Sequence, residues 1–197
     1  MQGQPAVSGI EEFNQLIDDL NKFVAAPPAD EFSRARILAE FTIRAQRLKE
    51  TNKGFGFSAL GSIACAKGDE EGMHRYHRRA IEFFPHAVTY SNYAGSLAVR
   101  GHYTAALDYA LKAFEMVPAD AYTLRLLVKI TDKLDMEDDF QRFVAMYRSI
   151  EGEDPEYVRF REEKDDISLT ALCMTAAETS LSKIWDTPEE DAAWADL

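Results

Sequence analysis

The sequence predicts an all-α protein that contains an internal repeat. Apolar residues recur three and four positions apart along most of the chain, which is the spacing of one face of an α-helix. No segment between turn residues alternates apolar and polar side chains convincingly, so no β-strand is expected. An alanine and a proline each recur after 33 residues, at Ala80 and Ala113 and at Pro85 and Pro118. The equal spacings indicate that one supersecondary unit is repeated.

Residues 1–53 predict a pair of N-terminal helices. The first ends at Pro27 and Pro28, because proline lacks an N–H donor and clashes with the preceding helical turn. The second is rich in lysine and arginine. The apolar face of the first helix consists of Ile10, Phe13, Ile17, Leu20 and Val24. That of the second consists of Leu38, Phe41, Ala45 and Leu48.

Residues 54–150 contain the repeat in three copies, at 54–86, at 87–120 and, in degenerate form, at 121–150. The second copy is the most regular. Positions 4, 7, 8, 11, 15, 17, 20, 24, 27 and 32 of its 34 residues are Tyr90, Tyr93, Ala94, Leu97, Gly101, Tyr103, Ala106, Ala110, Ala113 and Pro118. The first copy keeps this plan with Phe57, Leu60, Gly61, Ala64, Gly68, Ala80 and Pro85. The pattern resembles the tetratricopeptide (TPR) repeat.

The TPR resemblance implies pairs of antiparallel helices that stack into a solenoid, since one pair cannot bury its own apolar face. Small residues at positions 8, 20 and 27 allow close helix approach, and glycine at position 15 permits the turn. The third copy replaces this glycine with Asp135 and a small residue with Tyr147. The expected fold is therefore a TPR-like helical-hairpin solenoid with extra N-terminal helices, a C-terminal capping helix and an acidic tail. Whether the N-terminal helices are further degenerate copies stays open.

The resemblance also implies a concave groove lined by the first helix of each pair, which in the family holds an extended or helical peptide. The predicted partner-binding residues of this groove are Phe55, Ser58, Val88, Ser91, Asn92, Tyr122, Arg125 and Lys129. The groove is small and apolar at one end and basic at the other. As an alternative, the N-terminal helices or the C-terminal helix cover these residues. Of the carboxylate clamp found in chaperone-binding TPR proteins only Asn92 is present, so a co-chaperone is not expected.

Residues 151–197 form an acidic C-terminal segment. They hold 14 acidic and four basic residues, so they carry a net charge of −10 and leave only −2 of the total of −12 to residues 1–150. The pattern predicts a capping helix over 165–185 and a short terminal helix after it. The predicted partner-binding residues of this tail are Trp185, Asp186, Glu190, Asp191, Trp194 and Leu197.

The tail, "SLSKIWDTPEEDAAWADL", resembles the acidic, aromatic C-terminal tails of small bacterial antitoxins. Those tails fold onto a basic toxin and block its active site. No ribbon-helix-helix or other DNA-binding half accompanies the tail here, which departs from the usual antitoxin plan. Three roles stay open for it: docking on its own solenoid, self-association, or binding a basic partner.

Composition excludes several classes of function. The net charge of −12 repels phosphate backbones, so no nucleic acid is expected as a partner. Cys65 and Cys173 are too few for a disulfide framework or a zinc ligand set. No signal peptide and no apolar run of membrane-spanning length is recognised, so a cytoplasmic location without membrane association is expected.

No motif predicts catalysis or a cofactor. His74 and His77 lie three residues apart on a predicted helix and could share a metal ion. No carboxylate or third histidine is recognised at a suitable spacing, so a surface or packing role is expected for both. The sequence thus predicts a TPR-like scaffold or adaptor that binds another protein, either a basic one or one that presents a peptide. The alternative is an antitoxin-like regulator that neutralises a basic partner through its tail, and an enzyme using both histidines is a third hypothesis.

Overall fold

The computed structural model of the chain describes residues 9–151. Within that range it contains eight α-helices and no strand, which confirms the predicted all-α class. The helices are α1 (Ile10–Ala25), α2 (Glu31–Thr51), α3 (Lys53–Ala66), α4 (Glu70–Phe83), α5 (Ala87–Val99), α6 (Tyr103–Met116), α7 (Ala121–Lys133) and α8 (Glu137–Glu151). The capping helix and the acidic tail predicted after Glu151 lie outside the described residues.

Consecutive helices pack pairwise into hairpins that stack along the chain. We name α3–α4 hairpin 1, α5–α6 hairpin 2 and α7–α8 hairpin 3. The first helices of the three hairpins lie side by side, and the second helix of each of the first two hairpins also touches the first helix of the next. One hairpin alone leaves an apolar face uncovered, so this stacking is what builds a continuous core. The expectation of a helical-hairpin solenoid agrees with this arrangement.

The N-terminal helices extend the array. Phe13, Leu16 and Leu20 of α1 are buried together with Phe41, Ala45 and Leu48 of α2. Both α1 and α2 pack against α3, so the pair covers the outer face of hairpin 1. Only Asn52 separates α2 from α3, and its side chain accepts a hydrogen bond of 3.0 Å from the Phe55 N–H to cap α3.

The turn inside each hairpin uses the same left-handed backbone conformation. The φ angles are 77° at Gly68, 78° at Gly101 and 54° at Asp135, the residues at position 15 of the three copies. Glycine adopts positive φ without a steric penalty, and aspartate is one of the few other residues that tolerate it. The third copy therefore keeps the turn geometry although it has lost the glycine.

Small residues form the contacts between the helices of hairpin 2. Ala94 of α5 and Ala106, Ala110 and Ala113 of α6 are all fully buried. In hairpin 3 the corresponding side chains of α8 are large, and Phe140, Val144 and Tyr147 are buried instead. The same repeat positions are thus buried in hairpins 2 and 3, although the side chains at these positions differ in volume.

An aromatic pair recurs with the 33-residue period. Phe57 and Tyr76 of hairpin 1 stack with ring centroids 6.4 Å apart and ring planes 24° apart. Tyr90 and Tyr109, the corresponding residues of hairpin 2, stack at 6.3 Å and 26°. The two hairpins therefore share an equivalent side-chain contact as well as the same helix–turn–helix arrangement, which supports an internal repeat.

Candidate functional site

The structure divides the predicted groove residues into a buried set and a partly exposed set. Phe55 is 2% exposed. Its ring stacks on Phe13 of α1 with centroids 4.9 Å apart and meets the edge of Phe84 at 5.3 Å. Phe55 is therefore a core residue under α1. For Phe55, the alternative applies: an N-terminal helix covers this end of the predicted groove.

Ser58 and Ser91 are also buried, with exposures of 0% and 3%. The Ser91 hydroxyl donates to the Val88 carbonyl oxygen on its own helix, at 3.2 Å. The Ser58 hydroxyl has no hydrogen-bond partner among the described residues. Neither hydroxyl lies on an open surface, so these two predicted positions are not available to a partner in this conformation.

The other five predicted groove residues lie on α5 and α7 and keep some exposure. Val88 and Asn92 of α5 are half-buried, one helical turn apart. Arg125 and Lys129 of α7 are half-buried with the same spacing, and Tyr122 is 41% exposed. Since α5 and α7 are in contact, these side chains lie on adjacent helices of the same array.

Tyr122 of α7 contacts α5. Its hydroxyl lies over Gly95 of α5, so close that a Cβ atom added at Gly95 would be 2.6 Å from the oxygen. Burial raises the pKa of the Tyr122 hydroxyl above its usual value. Tyr122 as a whole is thus 41% exposed while its hydroxyl is enclosed, a combination that sequence spacing does not reveal.

The predicted tail residues cannot be placed on this framework. Trp185, Asp186, Glu190, Asp191, Trp194 and Leu197 all lie outside the described residues. Their predicted role in partner binding stays a prediction.

His74 and His77 do not form a joint site. His77 is fully buried, and its Nε2 lies 2.8 Å from the Ser96 hydroxyl. Its ring stacks on Tyr93 with centroids 5.1 Å apart. Burial lowers the pKa of His77 from 6.5 to about 3, and the neighbouring His74 adds to this shift. His77 is a neutral core residue, as the packing interpretation predicted.

His74 belongs to a different cluster. Its Nε2 lies 3.7 Å from Oε1 of Glu70, four residues earlier on α4. The same Glu70 oxygen is 2.7 Å from Nε2 of His102, the residue that precedes α6. The expectation that no carboxylate or third histidine has a suitable position is therefore wrong. The Glu70 spacing was visible in the sequence, whereas His102 is brought in only by the stacking of hairpin 2 on hairpin 1.

Two further groups surround this cluster. Nδ1 of His74 lies 2.7 Å from the Tyr93 hydroxyl. The second carboxylate oxygen of Glu70 is 3.9 Å from the Arg100 guanidinium. The hydrogen bond from His102 lowers the pKa of the Glu70 carboxyl, and the charges of His102, Arg100 and His74 act in the same direction. Glu70 is therefore held in its ionised form.

Arg75 and Arg79 of α4 make contacts with neighbouring residues of hairpin 1. Arg79 pairs with Glu82 at 3.1 Å and lies over the rings of Phe57 and Phe83 at 5.9 and 5.4 Å. Arg75 pairs with Glu71 at 3.5 Å. Cation–π contacts and short-range ion pairs of this kind occupy the cationic groups of an exposed helix face.

None of the helices described between residues 9 and 151 combines the length and the apolar character needed to cross a membrane. The chain matches no protein-family model, and no curated protein matches it.

Proposed function

We propose that this chain is a protein–protein interaction module, a TPR-like scaffold or adaptor that performs no catalysis. The observation that carries the proposal is the side-by-side packing of α5 and α7, with five partly exposed side chains on the two helices. We call these side chains the α5–α7 face: Val88, Asn92, Tyr122, Arg125 and Lys129.

The chemistry of the α5–α7 face suits a peptide segment of another protein. The partly exposed Tyr122 offers aromatic surface, and the carboxamide of Asn92 can both donate to and accept from a peptide backbone. Because α1 fills the neighbouring end of the array around Phe55, the bound segment would run along α5 and α7 only. The partner is therefore expected to contribute a short extended or helical segment.

Truncation of the face tests the proposal. The partner is first isolated by affinity capture from native lysate, and its affinity for the purified chain is then measured by calorimetry. We expect Tyr122→Ala to weaken binding by about 2 kcal/mol or more, because exposed aromatic rings dominate such contacts. Asn92→Ala should weaken it as well.

Phe32 provides a matched control. Phe32 is 78% exposed and lies on α2, a helix that packs against α1 and α3. Phe32→Ala should leave the affinity unchanged while removing a comparable aromatic surface. Equal affinities of the wild type, Tyr122→Ala and Asn92→Ala for the captured partner would show that binding takes place elsewhere.

A further inference from the structure

Three side chains with metal-binding chemistry converge at the junction of hairpins 1 and 2. Oxygen and nitrogen atoms of Glu70, His74 and His102 all lie within 4.8 Å of one another. Glu70 and His74 are one turn apart on α4, and His102 directly precedes α6. The cluster therefore draws its donors from both hairpins.

We propose that Glu70, His74 and His102 form a binding site for a divalent transition-metal cation, best fitted by Zn²⁺, that links hairpin 1 to hairpin 2. Two imidazole nitrogens and one carboxylate oxygen are a recurring ligand set for zinc. Magnesium and calcium prefer oxygen ligands alone, so this set disfavours them.

The distances fit the coordination sphere of zinc. Tetrahedral ligands at Zn bond lengths of about 2.0–2.1 Å lie roughly 3.3 Å from one another. The Glu70 oxygen is 2.7 Å from Nε2 of His102 and 3.7 Å from Nε2 of His74, values on either side of that separation. All three ligand atoms lie within 4.8 Å of one another, so the side chains would have to move to reach that separation and enclose the ion.

The surroundings orient one ligand in advance. Nδ1 of His74 lies 2.7 Å from the Tyr93 hydroxyl, which leaves Nε2 facing the cluster. Metal-bound histidines generally use their second ring nitrogen in this way, and the partner fixes the ring orientation. Arg100 anchors the far oxygen of Glu70 at 3.9 Å, although its positive charge also opposes the cation and limits the affinity.

The site is open on one side. The side chains of Glu70 and His102 are each 44% exposed and that of His74 is 26% exposed, so an ion can enter from solvent. Three protein ligands leave at least one coordination position for water or for a group from another molecule. A bound ion would join α4 to the start of α6 and so stiffen the junction between the two hairpins.

The test is a titration of the full-length, untagged, metal-free protein with Co²⁺, followed by Zn²⁺ in competition. We expect one equivalent to bind, with a visible absorption band from cobalt bound to imidazole and a rise in melting temperature. His102→Ala and Glu70→Gln should each lower the affinity by more than about tenfold, and Tyr93→Phe, which keeps the ring but loses the hydroxyl, by about tenfold.

His86→Asn is the matched control, because His86 is the remaining histidine that is not buried and lies outside the cluster. Asparagine can replace His86 as the cap of α5, where the ring now accepts from the Val88 N–H at 3.4 Å. Its affinity for cobalt should equal that of the wild type. Absence of binding at millimolar Co²⁺, or equal affinities of the wild type and His102→Ala, would overturn the proposal.

Discussion

His77 fits into hairpin 1 because Gly61 leaves room for its ring. A Cβ atom added at Gly61 would lie 2.6 Å from Cδ2 of His77. In hairpin 2 the same two positions hold Ala94 and Ala110, two side chains of equal size, whereas hairpin 1 pairs glycine with histidine. The two hairpins thus fill the same contact with different pairs of volumes, as close packing requires.

Substituting Gly61→Ala should therefore lower the free energy of unfolding by about 1–3 kcal/mol, despite the higher helix propensity of alanine. The ring of His77 is fully buried and stacked on Tyr93, so it cannot move without displacing its neighbours. Urea denaturation of the purified variant measures the loss. The double variant Gly61→Ala with His77→Ala, which copies the pair of hairpin 2, should recover part of it.

Gly95→Ala is a useful comparison. An added Cβ there would also meet an atom at 2.6 Å, but that atom is the hydroxyl at the far end of Tyr122, a residue that is 41% exposed and so has more freedom to adjust than the fully buried His77. Its destabilisation should be clearly smaller than that of Gly61→Ala. Equal losses for the two variants would contradict the role assigned to the buried His77 ring.

The pKa of His77 also makes stability depend on pH. Burial lowers it from 6.5 to about 3, so below pH 6.5 the unfolded chain binds a proton that the folded chain does not. The part of the free energy of unfolding that depends on neutral His77 is fully present above pH 6.5. It is lost as the pH falls towards 3, at up to about 1.4 kcal/mol per pH unit. Denaturation curves between pH 7 and pH 4 measure this slope.

His77→Gln isolates the contribution, because glutamine keeps a polar group near Ser96 but does not titrate. The variant should be less stable than the wild type at pH 7. Its stability should nevertheless fall less steeply between pH 6.5 and pH 4. Parallel pH profiles for the two proteins would show that His77 is not the titrating group.

At the scale of secondary-structure elements, the turns inside the hairpins keep the same left-handed backbone conformation although the residue differs. Asp135 adopts a φ of 54° where the other two copies have glycine. A residue with a Cβ atom pays a steric cost in this region, and glycine does not. Asp135→Gly should therefore stabilise the protein, by up to about 1 kcal/mol.

The reciprocal substitution, Gly101→Asp, serves as the control for this turn. Nothing lies within 4 Å of a Cβ atom placed at Gly101, so backbone strain is the cost expected there. Gly101→Asp should lower the melting temperature, whereas Asp135→Gly should raise it. A shift in the same direction for both would show that side-chain contacts, and not the φ angle, decide stability at these turns.

Packing between elements also decides which helix faces remain open. α1 covers the first helix of hairpin 1 around Phe55, whereas the first helices of hairpins 2 and 3 keep partly exposed side chains on the α5–α7 face. Phe55, Val88 and Tyr122 occupy the same repeat position in the three hairpins. The difference comes from the neighbour that each helix has in the array.

At the scale of the whole molecule, charge separates the chain into two parts. Residues 151–197 hold 14 acidic and four basic residues, a net charge of −10, and the rest of the chain carries −2. In protein complexes generally, acidic segments speed encounter with basic surfaces and tryptophan side chains are enriched among the residues that dominate the binding energy. The antitoxin-like alternative depends on this segment.

Two variants separate the possible roles of the tail: a stop after Lys183, and Trp194→Ala. If the tail binds an external partner, both variants should melt as the wild type does and lose a basic partner protein, whose wild-type affinity should decrease with added salt. Thermal denaturation and a binding titration at two salt concentrations measure this. Lower melting temperatures without a partner present would instead show that the tail stabilises its own helical array.

The sequence by itself determined the all-α class, the helix pairs and the buried positions of the repeat, because helical periodicity and the 33-residue spacing are local properties of the chain. It also located the acidity in residues 151–197. Only the tertiary structure decided that Phe55, Ser58 and Ser91 are buried while Tyr122 stays 41% exposed. It alone brought His102 to Glu70 and His74. The physical reason is that burial and ligand geometry depend on which neighbouring helix packs over a residue, and residues far apart in sequence determine that packing.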